Sequence, residues 1–195
     1  MAQDLLKGKK GIIFGALNDM SIAWKVAEQA VAQGAEIVLT NAPIAMRMGT
    51  INELSAICNN CPVIPADATS EEDLQNLLEG AIKHFGGKID FVLHSIGMSP
   101  NVRKGRHYTD INYKFLQTTL DVSAISLHKT LATAKKLDAL NEWGSVVALT
   151  YIAAQRIFPD YGDMADAKSL LESITRSFGY HYGVDKKVRI NTISQ

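Results

Sequence analysis

The chain has 195 residues, of which 47% are hydrophobic and 21% charged, enough for one sizeable core in one domain. Twenty Lys and Arg balance twenty Asp and Glu, so no electrostatic footprint argues for nucleic acid or an anionic membrane as partner. No run nears the roughly 18 apolar residues that would span a bilayer, and the opening MAQDLLKGKKGIIFG lacks the apolar segment of a signal peptide, so the expected location is cytoplasmic.

The first strand is predicted over residues 11–15 (GIIFG), and it runs into FGALNDMSIAW. Gly15 can make the tight turn off the strand, and Ala16 is small. Only one glycine of the G-x-G-x-x-G pattern is present, so this loop alone leaves an ordinary strand–loop–helix connection and a cofactor loop equally open. Ser21 is the expected N-cap of a helix over 21–34. Its Ile22, Val26, Ala27 and Ala30 recur at helical spacing, and Gly34 ends it. The free N–H groups and dipole at such a helix start suit a pyrophosphate.

A second strand is predicted over 35–40 (AEIVLT), followed by Asn41, Ala42 and Pro43. No acid stands there to grip a ribose 2′-hydroxyl, and Arg47 is the nearest base for a 2′-phosphate. This rule therefore does not choose between NADH and NADPH. Cys58 and Cys61 form a lone C-x-x-C, and a zinc site needs about four ligands, so the pair reads as structural.

A third strand is predicted over 62–66 (PVIPA). Asp67 follows it, where a carboxylate could accept a hydrogen bond from an adenine amino group. A helix over 70–87 has Ser70 as N-cap, Asp73 three residues on, and two closing glycines. The fourth strand (89–97, IDFVLHSIG) ends in Gly97, which permits close backbone approach. His94, inside a buried run, is expected to be a core histidine rather than a base. Helical stretches at about 110–140 and 163–182 flank a fifth strand at 145–150, and a sixth follows at 188–194. Continuous apolar runs mark strands covered on both faces, and strand–helix alternation implies right-handed crossovers. The expected fold class is α/β, a doubly wound parallel sheet of Rossmann type.

The stretch YIAAQRIFPDYGDMADAK holds Tyr151, Tyr161 and Lys168. Seven residues return to nearly the same helix face about 10 Å along the axis, so Tyr161 must fold over from an irregular entry for the two heads to meet. Pro159 and Gly162 favour that entry. A phenol beside an ammonium is expected to have a lowered pKa and to serve as a proton donor. Taken alone, the pair reads as a surface tyrosine and a solvated helix lysine, because such spacings arise often by chance. A shorter pair, Tyr182 and Lys186, reads as a helix exit with positive charge near the dipole.

Together, FGALNDMSIAW, HSIGMSP, TYIAAQRIFPDYGDMADAK and VRINTIS, in that order, resemble the enoyl-acyl-carrier-protein reductases of bacterial fatty-acid synthesis, divergent short-chain dehydrogenase/reductases. The resemblance covers the whole chain. It implies that Gly15, Ser21 and Ile22 cradle the cofactor phosphates, Asp67 and Ala68 the adenine, and Ile96 the nicotinamide-side ribose. It implies that Lys168 binds ribose hydroxyls, Ser99 touches the acyl substrate, Tyr161 hydrogen-bonds the thioester carbonyl, and Tyr151 lines the pocket. The implied cofactor is NADH, with NADPH left open. The implied partners are an acyl carrier protein bearing an enoyl thioester and further copies of the chain in a homotetramer. By the same resemblance, residues 1–195 form a single dinucleotide-binding domain that breaks off at Gln195, before a C-terminal substrate loop and a seventh strand. Two other readings compete: a carbonyl-reducing dehydrogenase of the same fold, and a non-catalytic dinucleotide-sensing module.

Overall fold

The computed structural model describes residues 4–194; Gln195, where the chain is expected to break off, lies outside the described residues. In chain order the elements are β1 (Lys10–Phe14), α1 (Ile22–Ala32), β2 (Glu36–Thr40), and two short helices, α2 (Pro43–Met48) and α3 (Ile51–Ile57). There follow α4 (Glu71–Phe85), β3 (Ile89–His94), the single turn α5 (Pro100–Arg103) and α6 (Tyr113–Leu120). A π-helical turn at Asp121–Ile125 joins α6 to α7 (Ser126–Lys136), and β4 (Leu140–Thr150), α8 (Met164–Lys186) and β5 (Arg189–Ser194) complete the chain.

The five strands form one parallel sheet in the order β2-β1-β3-β4-β5. Alternate side chains along each strand enter opposite layers, as the two-residue period of a strand demands. Ile12, Phe14, Val92, Val146 and Ala148 pack with α4, α7 and α8, whereas Ile13, Ile37, Leu39 and Leu93 pack with α1 and α3. Both faces are covered, which explains the unbroken apolar runs. The α4 stripe of Leu74, Leu77, Leu78, Ala81 and Phe85 is buried, and truncating Leu77 to Ala would cost about 2–5 kcal/mol. The Ser70 hydroxyl accepts from Asp73 N–H at 3.2 Å and left-handed Gly86 ends α4, as the sequence predicts.

Several expectations need correction; the strand expected over 89–97 ends at His94, and the one expected over 145–150 begins at Leu140. Residues 62–66 form no strand: Pro62 and Pro65 carry no N–H, and the segment touches β2 through a single bridge, Leu39 to Val63. The stretch expected helical over 110–140 is helical over 113–136, broken by the π turn, and Leu140 already belongs to β4. Tyr182 is not at a helix exit, because α8 runs on to Lys186. Its ring is buried, and its hydroxyl donates to the Leu131 carbonyl at 2.9 Å, bolting α8 to α7. Lys186 does close the helix with positive charge. Cys58 and Cys61 are free and buried, and burial pushes the Cys61 thiol up to about 12, as suits structural residues.

Chain connectivity reverses direction at β1: β2 lies on one side of it and β3 on the other. In open α/β sheets the crevice at that switch point, outside the carboxyl strand ends, is where ligands bind.

Candidate active site

The loops after β1 and β3 meet at this crevice. Gly15 has φ +91°, and a Cβ there would overlap the Ser95 carbonyl oxygen, so only glycine lets the two loops touch. The Ser21 side chain does not cap α1. Instead its Oγ accepts from Leu17 and Asn18 N–H, both at 3.1 Å, tying the loop into a tight coil. The first N–H groups of α1, at Ile22 and Ala23, therefore have no hydrogen-bond partner among the described residues. This is the geometry that receives a phosphate, although Ser21 builds it by shaping the loop.

A cavity of about 240 Å³ lies beside that helix start, lined by Ser21, Ile22, Ile96, Tyr161, Met164 and Lys168 together with Ser95, Gly97 and Leu149. Residues from the β1 loop, the β3 loop, the end of β4 and α8 thus converge, although up to 147 positions separate Ser21 from Lys168 in the chain. A larger groove of about 890 Å³ runs along β5 and α8 past Trp143 and Arg189. It contains neither the phenol nor the buried ammonium.

Lys168 is 4% exposed, and its Nζ donates to the Leu149 carbonyl at 2.7 Å. Burial lowers its pKa from the ordinary 10.5 to about 8. A Cβ on Gly97 would lie 3.7 Å from Nζ, so the glycine keeps the approach to the ammonium open. Tyr161 is half-buried, its ring centroid 4.6 Å from that of Tyr151, which also meets Phe158 at 5.3 Å. The expected lowering of the Tyr161 pKa does not occur. Burial pushes it up and the neighbouring Tyr151 adds to this, while Lys168 spends a proton on Leu149. Tyr161 is a neutral hydrogen-bond donor here, not an incipient phenolate.

His94 is fully buried. Its Nε2 meets Ser126 Oγ at 2.9 Å, and that hydroxyl donates onward to the Val122 carbonyl. Burial first, and Lys168 second, depress the imidazole to about 3, so it stays neutral, as expected of a core histidine. Ser123, on the same π turn, clasps the β3 loop: its Oγ accepts from Met98 N–H at 2.9 Å and donates to Met98 C=O at 3.0 Å. A π turn at a functional loop is a recurring device, and nothing in the spacing of apolar residues announces it.

Asp67 follows the segment 62–66 that bridges to β2. Its Oδ1 accepts from Thr69 N–H and Thr69 Oγ1 at 2.8 and 2.7 Å, leaving Oδ2 for a ligand, and Ala68 beside it is buried. Ser99 is not brought to the cavity. It is 3% exposed, caps α5 by accepting from Val102 N–H, and donates to Asp163 Oδ1 at 2.5 Å. With both roles of its hydroxyl taken, it is a structural residue in place of the expected substrate contact. Met164, Leu149 and Asp163 were invisible to motif reading, since they contribute a side-chain wall, a backbone oxygen and a buried knot.

A helix start with free N–H groups, a glycine at the loop contact and a cavity lined by Tyr161 and Lys168 suit a dinucleotide. A model of the family described as enoyl-(acyl carrier protein) reductase matches residues 15–195. The enoyl-[acyl-carrier-protein] reductase [NADH] FabI of Rickettsia bellii is 35% identical over 204 residues, covering 100% of this chain and 72% of that protein. The enoyl-[acyl-carrier-protein] reductase [NADH] 2 of Rhizobium meliloti is 33% identical, covering 97% and 69%. Among solved structures, the FabI–NADH complex from Alistipes finegoldii is 67% identical with a TM-score of 0.97, over 98% of this chain and 68% of that one. Among the described residues, no helix is long and apolar enough to cross a membrane. The fold, the cleft and the matched residues place this chain in the enoyl-acyl-carrier-protein reductase family.

Proposed function

We propose that this chain reduces the carbon–carbon double bond of trans-2-enoyl thioesters borne on an acyl carrier protein, with NADH as reductant, in fatty-acid elongation. The observation that carries this reading is the convergence of Tyr161 and Lys168 on one cavity beside the open helix start at Ile22. Gly15 and the N–H groups of Ile22 and Ala23 hold the phosphates, Asp67 and Ala68 the adenine, and Ile96 and Lys168 the ribose nearest the reaction. NADH, when bound, supplies the hydride that adds to the β-carbon of the substrate.

Negative charge then grows on the thioester oxygen. The neutral Tyr161 hydroxyl donates to that oxygen most strongly in the transition state, which is where a preorganised donor accelerates a reaction. Lys168 places a positive charge nearby, in a site from which its burial excludes most water. The tyrosine delivers no proton permanently to that oxygen; the enolate collapses as its α-carbon takes a proton from solvent, which completes the two-electron reduction. The raised pKa of Tyr161 keeps the phenol protonated, and so able to donate, at neutral pH. Tyr151 and Phe158 wall the pocket beside it.

The same reading supports residues 1–195 as one dinucleotide-binding domain of a cytoplasmic homotetramer. Sedimentation of the full-length protein tests the assembly. The reaction itself is tested by supplying crotonyl and acetoacetyl thioesters in parallel, each with NADH and NADPH. Rapid oxidation of NADH by the crotonyl substrate alone is expected. Preference for the acetoacetyl substrate would replace this reading with carbonyl reduction, and NADH binding with no turnover would replace it with a sensing role.

A further inference from the structure

Asp163 is completely buried between the catalytic loop and the first turn of α8. Its carboxylate takes Ser99 Oγ at 2.5 Å on Oδ1, and Asn101 Nδ2 at 2.7 Å and Thr119 Oγ1 at 2.9 Å on Oδ2. Those partners come from the end of the β3 loop, from α5 and from α6. Asn101 extends the knot, because its Oδ1 accepts from Asn112 N–H at 2.9 Å, and Asn112 caps α6. No Lys or Arg forms an ion pair with it among the described residues. A buried carboxylate held only by neutral dipoles is a poor way to gain stability, since well-packed apolar groups of similar volume generally serve as well. Its value must lie in what it orients.

The neighbours show what that is. Lys168 has its own anchor on the Leu149 carbonyl, whereas the Tyr161 hydroxyl has no hydrogen-bond partner among the described residues. The place of Tyr161 therefore depends on contact with Tyr151 and on the two residues that follow it. Gly162 has φ +50° and ψ −137°, a conformation open to glycine and strained for other residues, and a Cβ there would press on Val102 at 3.3 Å. Next comes Asp163, then Met164, which lines the cavity. Across the cavity, the wall made by Ser95, Ile96 and Gly97 leads to Ser99, the other end of the shortest bond in the knot. One carboxylate thus joins the two walls between which the thioester must lie.

We propose that Asp163 is a positioning residue that sets the Tyr161 hydroxyl in its reactive place, by clamping the start of α8 to the β3 loop and α6. The proposal rests on the reductase reading of this cleft. Its effect is mechanical: a shift of about 1 Å in a reacting group can cost up to a hundredfold in rate.

The experiment compares Asp163→Asn, Thr119→Val (the same shape without the hydroxyl) and Thr119→Ser (the hydroxyl kept) in the full-length protein. With NADH and crotonyl thioester, Asp163→Asn and Thr119→Val should lower kcat about tenfold or more while NADH affinity changes less than about twofold, and Thr119→Ser should restore kcat. A second readout needs no turnover. In protein labelled with 3-fluorotyrosine, the fluorine resonance of Tyr161, assigned through Tyr161→Phe, should move or broaden in Asp163→Asn and Thr119→Val but not in Thr119→Ser. Failure of the wild type to turn over thioester would overturn the reductase reading, while the fluorine spectra would still judge the clamp. A folded Thr119→Val protein with wild-type kcat and an unmoved Tyr161 resonance would overturn the proposal, as would equal impairment in Thr119→Ser. Should Asp163→Asn fail to fold, the Thr119 pair decides alone.

Discussion

Lys168→Met separates what the ammonium does for function from what it costs the fold. The lysine is 4% exposed and its pKa falls from 10.5 to about 8 through burial. A group of this kind binds its proton less tightly in the folded state than in the unfolded one. Its penalty is therefore full below about pH 8 and is lifted as pH climbs through the window from about 8 to 10.5. The full penalty corresponds to about 3 kcal/mol, an order-of-magnitude figure, and methionine, similar in length and uncharged, removes it. Against that stands the lost hydrogen bond to the Leu149 carbonyl, worth about 1 kcal/mol. Lys168→Met should therefore be at least as stable as the wild type near neutrality, and the wild type should gain about 2 kcal/mol relative to it between pH 7 and pH 10. Urea unfolding of both proteins at a series of pH values measures this difference. In parallel, the wild-type kcat/KM for NADH should decline as pH rises through about 8, where the free enzyme loses its ammonium. The variant should show little turnover at any pH. A stability gap that stays constant from pH 7 to 10 would refute the account of Lys168 as a buried, strained charge.

Three further outcomes follow from the same geometry. Tyr161→Phe should lower turnover about a hundredfold with NADH affinity unchanged, because it removes a single transition-state donor; unaltered kcat would rule out that role. Gly15→Ala forces a Cβ onto the Ser95 carbonyl at φ +91°, so it should cost about 2 kcal/mol or more in stability and abolish NADH binding by calorimetry. Normal NADH affinity in that variant would mean that the β1 loop is not the cradle. The His94 imidazole, held to about 3 by burial and by Lys168, should show no NMR titration between pH 5 and 8. A midpoint near its ordinary value would disprove its placement in the core.

Much of the architecture could be read from the chain because the physics behind it is local. Unbroken apolar runs such as IIF and VVAL announce strands covered on both faces. Ser70 with Asp73, and Gly34 and Gly86, mark helix ends through bonds and dihedrals that span a few residues. Gly15, Tyr161 and Lys168 drew notice only through the resemblance carried by the ordered motifs, because a single glycine or a seven-residue gap is weak by itself. The misreadings arose where a local pattern met a distant partner. Residues 62–66 look like a strand until their two prolines are placed against β2, where one bridge is all they can form. The Tyr161 pKa is raised by burial and then by Tyr151, and neither is visible in the gap to Lys168. Ser99 follows a cavity loop in sequence, yet it turns inward to Asp163, 64 positions away. The sequence alone thus determined the doubly wound class and most helix ends, because period and turn chemistry are properties of neighbours. Only the tertiary structure decided where each buried polar group finds its hydrogen bond, because burial forces every such group to find a partner wherever the fold supplies one.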